Sequence, residues 1–439
     1  MNSERECYVY IVPPGGTEFV TAGRFRLDQV SPGFVGTFVY GRNYRERKDA
    51  VELDPIELRL SSQVYETARM GGFFGAIRDS MPDFWGRRVI EKHAGLTQLE
   101  EFDYLMKGPD DRAGALGFGL NVEPPAPQKK FNRTLDLEKL QRAADAVVAD
   151  DPDRASHETA QAQELLLLGT SMGGARPKTV VQDGHDLWLA KFSRNDDRWN
   201  HPRVEHGMLT LAQSCGLKTA DSRIDRIGDR DVLLVRRFDR DWAQTGYRRH
   251  RMVSALTLLQ AGDSPGERQN WSYLLLADEL RRVSADPESD LRELFARICF
   301  NAAISNLDDH PRNHAVVAKE RDWRLSAAYD LAPTPVIAKD RRDLAMICGT
   351  YGRYANKANL LSDHGRFLLT NEEAQAIFMQ ITATIKQDWH SALRRAGVSE
   401  TDCEAIKSAF VYDDLYYEAE GYACKNVLYV YHYFAKVCR

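Results

Sequence analysis

Apolar positions in the N-terminal part of the chain fall in short runs separated by glycine and proline: Tyr8 to Val12, Phe19 to Leu27, and Gly33 to Tyr40. Runs of that length, rich in β-branched and aromatic residues and bounded by turn formers, predict strands and hence a small α+β module. Farther on, Trp85, Val89 and Ile90 recur at helical spacing behind Pro82 and Asp83, a pair suited to a helix start, and this stripe reads as packing. The stretch Pro124-Pro125-Ala126-Pro127, followed by Lys129 and Lys130, reads as a linker and sets a domain boundary after residue 125.

Between about residue 160 and residue 250 the pattern becomes turn, hairpin, helix, hairpin. Leu165 to Leu168 closes an apolar helix, a glycine-rich turn follows, and Lys178 to Val181 with Leu187 to Phe192 predict a hairpin around Asp183-Gly184. Val204, Met208, Leu211 and Ala212 mark a helix that Gly216 ends, and Asp221 to Asp225 and Val232 to Val235 predict strands on either side of Gly228-Asp229. From residue 254 the period is mainly helical, in Ala255 to Ala261, Tyr273 to Val283 and Leu291 to Ile304. The fold class expected is α+β and bilobed. An extra subdomain at 1–125 precedes a mixed α/β N-terminal lobe at 126–252, and a mainly helical C-terminal lobe occupies 253–439, with a cleft between the lobes.

Composition narrows this plan. At 439 residues and 43% hydrophobic content, several subdomains are expected, because single cores stop growing well below this size. With 59 basic against 64 acidic residues, the formal charge of -5 offers no general attraction for nucleic acid or an anionic membrane. Seven scattered cysteines without a CxxC pair argue for reduced thiols and a cytoplasmic, soluble protein, and neither a signal peptide nor a membrane-spanning run is evident.

The richest chemistry lies in Asn306-Leu307-Asp308-Asp309-His310-Pro311-Arg312-Asn313, followed by Tyr329-Asp330. A carboxylate that can orient a hydroxyl, an amide five positions on and a second carboxylate beyond a hairpin are the polar groups of phosphoryl transfer, which makes Asp308, Asn313 and Asp330 the candidates. Two other readings compete: a metal site of Asp308, Asp309, His310 and His314, and a structural loop in which Asp308 and Asn313 cap backbone groups. A second strand over Leu325 to Asp330 would return Asp330 to the same place, which capping does not require. Upstream, the turn Gly169 to Lys178 carries Ser171, Gly173, Gly174 and Lys178, and could cradle a phosphate or be an ordinary hairpin lead-in. Strand alternation puts Lys191 on one face with Leu187 and Leu189, as either an edge lysine or the partner of Glu205 in the next helix. Phe238, within Arg236 to Arg240, falls where a hinge to the second lobe is expected, and Arg248 to Arg251 reads as a solvated charged hairpin.

These segments also occur in a familiar order. Ser171-Met172-Gly173-Gly174-Ala175-Arg176-Pro177-Lys178-Thr179, Lys191, Arg237-Phe238-Asp239-Arg240, the Asn306 to Asn313 loop and Tyr329-Asp330-Leu331 resemble the HipA family of bacterial serine/threonine kinase toxins. The resemblance extends to Gly36-Thr37-Phe38, Met81 to Arg87 and Asp111 to Gly117. It implies a HipA-like kinase fold, ATP and Mg2+ as cofactors, and Asp308 as catalytic base. Asn313 and Asp330 would hold magnesium, and Lys191, with Glu205 as its partner, would meet the α- and β-phosphates. Ser171, Gly173, Gly174, Lys178 and His310 would lie at the phosphates and Phe238 at the hinge. It further implies autophosphorylation of Ser171, with Thr170 and Thr179 as nearby alternatives, a protein substrate such as an aminoacyl-tRNA synthetase, and a helix-turn-helix, HipB-like antitoxin through which operator DNA is mainly bound. A catalytically weak corepressor subunit and a small-molecule phosphotransferase are the alternatives. Arg236 at the hinge and the tyrosine-rich stretch from Tyr412 to Arg439 depart from the family pattern.

Overall fold

The computed structural model describes residues 5–95, 99–149, 166, 176–335 and 341–417. The predicted N-terminal strands form as β1 (Glu6–Ile11), β2 (Val20–Val30) and β3 (Gly33–Tyr40), and β4 (Val64–Thr67) and β5 (Leu116–Gly119) complete an antiparallel sheet of order β4-β3-β2-β1-β5. Along β2, Phe25 and Leu27 face inward while Arg24 and Arg26 face out, the period of two that fixes register on a half-buried sheet. The helix Phe84–Ala94 starts where Asp83 accepts a hydrogen bond from the Gly86 amide and ends on Gly95 in the left-handed conformation.

A second sheet, of order β6-β7-β8-β10-β9, holds the predicted hairpins. It comprises β6 (Asn132–Arg133), β7 (Lys178–Asp183), β8 (Asp186–Phe192), β9 (Ser222–Ile227) and β10 (Arg230–Arg236), antiparallel except that β6 runs parallel to β7. The helix His201–Ser214 packs against it. A hairpin of β11 (Arg240–Ala243) and β12 (Gly246–Arg249) leads to a three-stranded sheet of β13 (Arg251–Ser254), β14 (Ala315–Ala318) and β15 (Trp323–Leu325). Helices Tyr273–Val283, Pro287–Ala303 and Asn371–Arg395 build the C-terminal part.

One contiguous apolar core joins Phe25, Phe38 and Ile77 of the N-terminal sheet and its helices to Leu256, Phe295 and Ile298 of the helical part. A second core groups Trp85 and Val89 with Val181 of β7, Trp188 of β8, and Val232 and Leu234 of β10, so the N-terminal module also packs beneath the second sheet.

Several expectations need correction. Arg248 is solvated, but Arg249, His250 and Arg251 are buried: Arg249 pairs with Asp110 at 2.7 Å, His250 with Asp241 at 2.8 Å, and Arg251 with Glu52. A cationic side chain can be buried when a carboxylate meets it, and for Arg249 and Arg251 that carboxylate comes from a distant segment. The strand expected over Leu325 to Asp330 stops at Leu325; beyond it Ala328 forms a parallel bridge with Thr219, and Asp330 adopts a positive φ of 59°. The helix expected over Ala255 to Ala261 spans only Ala255–Leu258. Apart from Leu166, the segment Leu165 to Leu168 lies outside the described residues, as do Thr170, Ser171, Gly173 and Gly174. The cysteines Cys7, Cys215, Cys299, Cys348 and Cys403 are free and buried.

Candidate active site

Lys191 is the centre of the site. It lies near the end of β8, opposite Leu233 of β10 and Lys178 of β7. Its Nζ meets Glu205 Oε1 at 2.6 Å, from the helix His201–Ser214, and Asp330 Oδ1 at 2.8 Å. The expected pairing with Glu205 therefore forms, and the edge-lysine reading does not hold. Burial alone would disfavour the Lys191 charge, but Asp330 first and Glu205 next outweigh it and raise the pKa above the ordinary lysine value. Burial likewise opposes the Asp330 charge, and the Lys191 ammonium overrides it, holding that carboxyl down at about 2. At Glu205 burial prevails and raises the pKa, so Asp330 keeps its charge more firmly than Glu205 does.

The loop before β14 separates two adjacent aspartates. Asp309 is buried; its Oδ2 accepts hydrogen bonds from Tyr273 Oη, from Asn301 Nδ2 at 2.7 Å and from His314 Nε2 at 2.8 Å. Asp308 is exposed, and among the described residues its carboxylate accepts no hydrogen bond, while its backbone oxygen accepts from the His310 amide at 2.8 Å and from Asn313 Nδ2 at 3.4 Å. The four-residue metal reading fails because Asp309 and His314 are committed to each other, and the Asp308 side chain caps nothing among the described residues. Asn313 is buried at the end of the turn Pro311–Asn313, and the Nδ1 of His310 is buried with no hydrogen-bond partner among the described residues.

Two cavities meet at Lys191, His310, Asn313 and Asp330. The first, about 120 Å³, is walled by Leu189, Val235, Phe238 and Met252, with Ala113 and Asp79 coming from the N-terminal module. Phe238 stands 5.7 Å from the Tyr329 ring at its edge. The second, about 360 Å³, is lined by Arg176, Lys178, Trp199, His201, Asp308 and Thr334. An apolar slot opening into a polar one, with cation and carboxylate at the junction, suits a ligand with a flat apolar end and an anionic end. Among the described residues no three His, Cys, Asp or Glu side chains form a metal cage. The donor set at the junction, an Asp330 carboxylate and an Asn313 amide oxygen, fits a magnesium ion that keeps most of its ligands as water and phosphate.

Sequence reasoning missed three features. The Lys191–Asp330 pair joins residues 139 positions apart. Arg237 and Arg240 form a fully buried cluster with Asp111 and Asp239, in which Arg237 meets Asp239 at 2.8 Å and Arg240 meets Asp111 at 3.1 Å. Arg312 is gripped by Asp263 at 2.7 Å and approached by Asp79 at 3.4 Å. No local pattern marks a partner so far away along the chain; the one available signal was the dense charge of Arg236 to Arg240 beside an apolar strand.

Comparison with known proteins agrees with this architecture. Residues 20–119 match the HipA N-terminal domain family and residues 170–389 the HipA-like C-terminal domain family. The chain is 26% identical over 333 residues to Y4mE of Sinorhizobium fredii, named as a candidate kinase, with 71% of this chain and 74% of that protein covered. A chain of the Shewanella oneidensis MR-1 complex of HipA, HipB and operator DNA superimposes with a TM-score of 0.65 at 16% identity, covering 92% of this chain and 94% of that one, a likeness of fold. With its C-terminal family match spanning half the sequence, the chain belongs to the HipA family.

Proposed function

We propose that the chain is an ATP- and magnesium-dependent protein serine/threonine kinase, the toxin of a toxin–antitoxin pair. The observation that carries this reading is Lys191 held between Glu205 and Asp330 where the two cavities meet, with the Asp308 carboxylate uncommitted in the second. In this reading adenine lies in the apolar cavity near Phe238, and Lys191, Lys178, His310 and the Gly173-Gly174 turn surround the phosphates. Asp308 takes the proton of an acceptor hydroxyl whose oxygen attacks the terminal phosphorus, and ADP departs with the electrons of the broken bond. Asn313 and Asp330 would hold magnesium, which neutralises phosphate charge when bound. The exposure of Asp308 favours an acceptor carried on a large molecule, such as an aminoacyl-tRNA synthetase.

Autophosphorylation at Ser171 would switch the enzyme off, because up to two negative charges would enter a turn that itself surrounds phosphates. The Shewanella complex of HipA, HipB and operator DNA supports an antitoxin as partner; in our reading that partner is a helix-turn-helix protein and makes most of the contact with operator DNA, since this chain's net charge is -5. A cytoplasmic setting goes with that partner; among the described residues no helix is long and apolar enough to cross a membrane.

The test is incubation with labelled ATP and magnesium. Wild type should label itself at Ser171, and Asp308→Ala should lose at least about a hundredfold in rate. Equal labelling of the two would overturn the assignment.

A further inference from the structure

Lys178 and Lys191 are register partners across β7 and β8, so both side chains leave the same face of the sheet. Two ammonium groups so close repel unless each has its own anion. Lys191 has Glu205 and Asp330. The anion for Lys178 comes from the N-terminal module: Asp83 Oδ2 lies 3.0 Å from its Nζ, with side-chain exposures of 10% and 2%. The other oxygen of Asp83 caps the helix Phe84–Ala94 by accepting from the Gly86 amide at 2.7 Å, and two residues on, Trp85 Nε1 donates to the Lys178 carbonyl at 2.8 Å. Burial prevails and lowers the Lys178 pKa below the ordinary lysine value, with Asp83 the strongest group opposing that shift, and burial likewise raises the Asp83 pKa.

We propose that Asp83 is a positioning residue for the phosphate end of the cleft. It holds the Lys178 side chain in place beside Lys191, so the N-terminal module sets nucleotide affinity without touching the nucleotide. The proposal rests on the nucleotide reading above. The same stretch of chain braces the opposite wall: Asp79 accepts from Ser254 Oγ at 2.8 Å and Thr257 Oγ1 at 2.6 Å and approaches Arg312 of the catalytic loop at 3.4 Å. Lys178 and Asp308 line one cavity, so an altered lysine alters the place where phosphate would sit.

The experiment titrates the full-length protein with a fluorescent ATP analogue and magnesium. Asp83→Asn, which keeps the helix cap and loses the charge, should weaken binding about tenfold and raise the ATP KM with little change in kcat. Lys178→Met should weaken it as much, and Asp83→Asn added to Lys178→Met should cost nothing further, as coupled residues require. A merely structural aspartate would lower the melting temperature while leaving affinity alone, or would add its full effect in the double variant; either result overturns the proposal. If Asp83→Asn does not fold, Asp83→Ser, another capping residue without charge, carries the same comparison. No binding by wild type would defeat the nucleotide reading and this inference together, whereas binding by wild type with equal binding by Asp83→Asn defeats the inference only.

Discussion

Asp308 and Asp309 show how far apart two identical neighbours can stand. Asp309 accepts three buried hydrogen bonds, so Asp309→Ala should destabilise the protein by about 3 kcal/mol through the unpaired Tyr273, Asn301 and His314 groups left behind. Asp308→Ala removes an exposed side chain and should change stability by less than about 0.5 kcal/mol while abolishing self-labelling. Urea unfolding of both variants checks the contrast; equal destabilisation would sink it. The sequence pointed to the loop and to Asp308 because chemistry dictates residue types at short spacing. It could not say which aspartate is buried, since that depends on Tyr273 and His314 arriving from other elements. Lys191 and Glu205 were legible together for a different reason: strand alternation and a helical stripe each assign a face.

Among the elements, the helix His201–Ser214 carries both the partner of Lys191 and a pH response. Burial first, and the Arg176 guanidinium next, push the His201 pKa down from 6.5 to about 4. Between those values the unfolded chain holds a proton that the folded one does not, so stability is complete above pH 6.5, falls as pH drops and levels off below 4. His201→Gln should remove on the order of 1 kcal/mol of that acid-side loss, allowing for partial exposure of the ring, as judged by comparing urea midpoints of variant and wild type at about pH 7 and about pH 4.5. Strands β1 to β3, the hairpins of the second sheet and the helices Tyr273–Val283 and Pro287–Ala303 were readable, since their periodicity is local, but the long helix Asn371–Arg395 was not read from the sequence. The Leu325 to Asp330 segment was not: its residues alternate like a strand, but the backbone turns at Asp330, φ 59°, to bring the carboxylate to Lys191.

Across the whole molecule, the Asp111, Arg237, Asp239 and Arg240 cluster ties the N-terminal module to the segment that carries Phe238. Two guanidinium groups share two carboxylates with almost no solvent, and the burial of Arg240 beside Arg237 lowers its pKa to about 10. Asp111→Asn should therefore cost about 3 kcal/mol, visible as a lowered melting temperature of the full chain; an unchanged melting curve would show the cluster to be energetically idle. Such long-range joints are what a single sequence leaves invisible, although both halves of this one lie in the segments that resemble the family.

The shared core has a practical side. Severing the chain after residue 125, at the proline-rich stretch that looks like a natural seam, would strip Phe25, Phe38, Ile77, Trp85 and Val89 from their counterparts and bare two greasy faces at once. Neither fragment would be a free-standing protein, and each should clump or be degraded when made by itself.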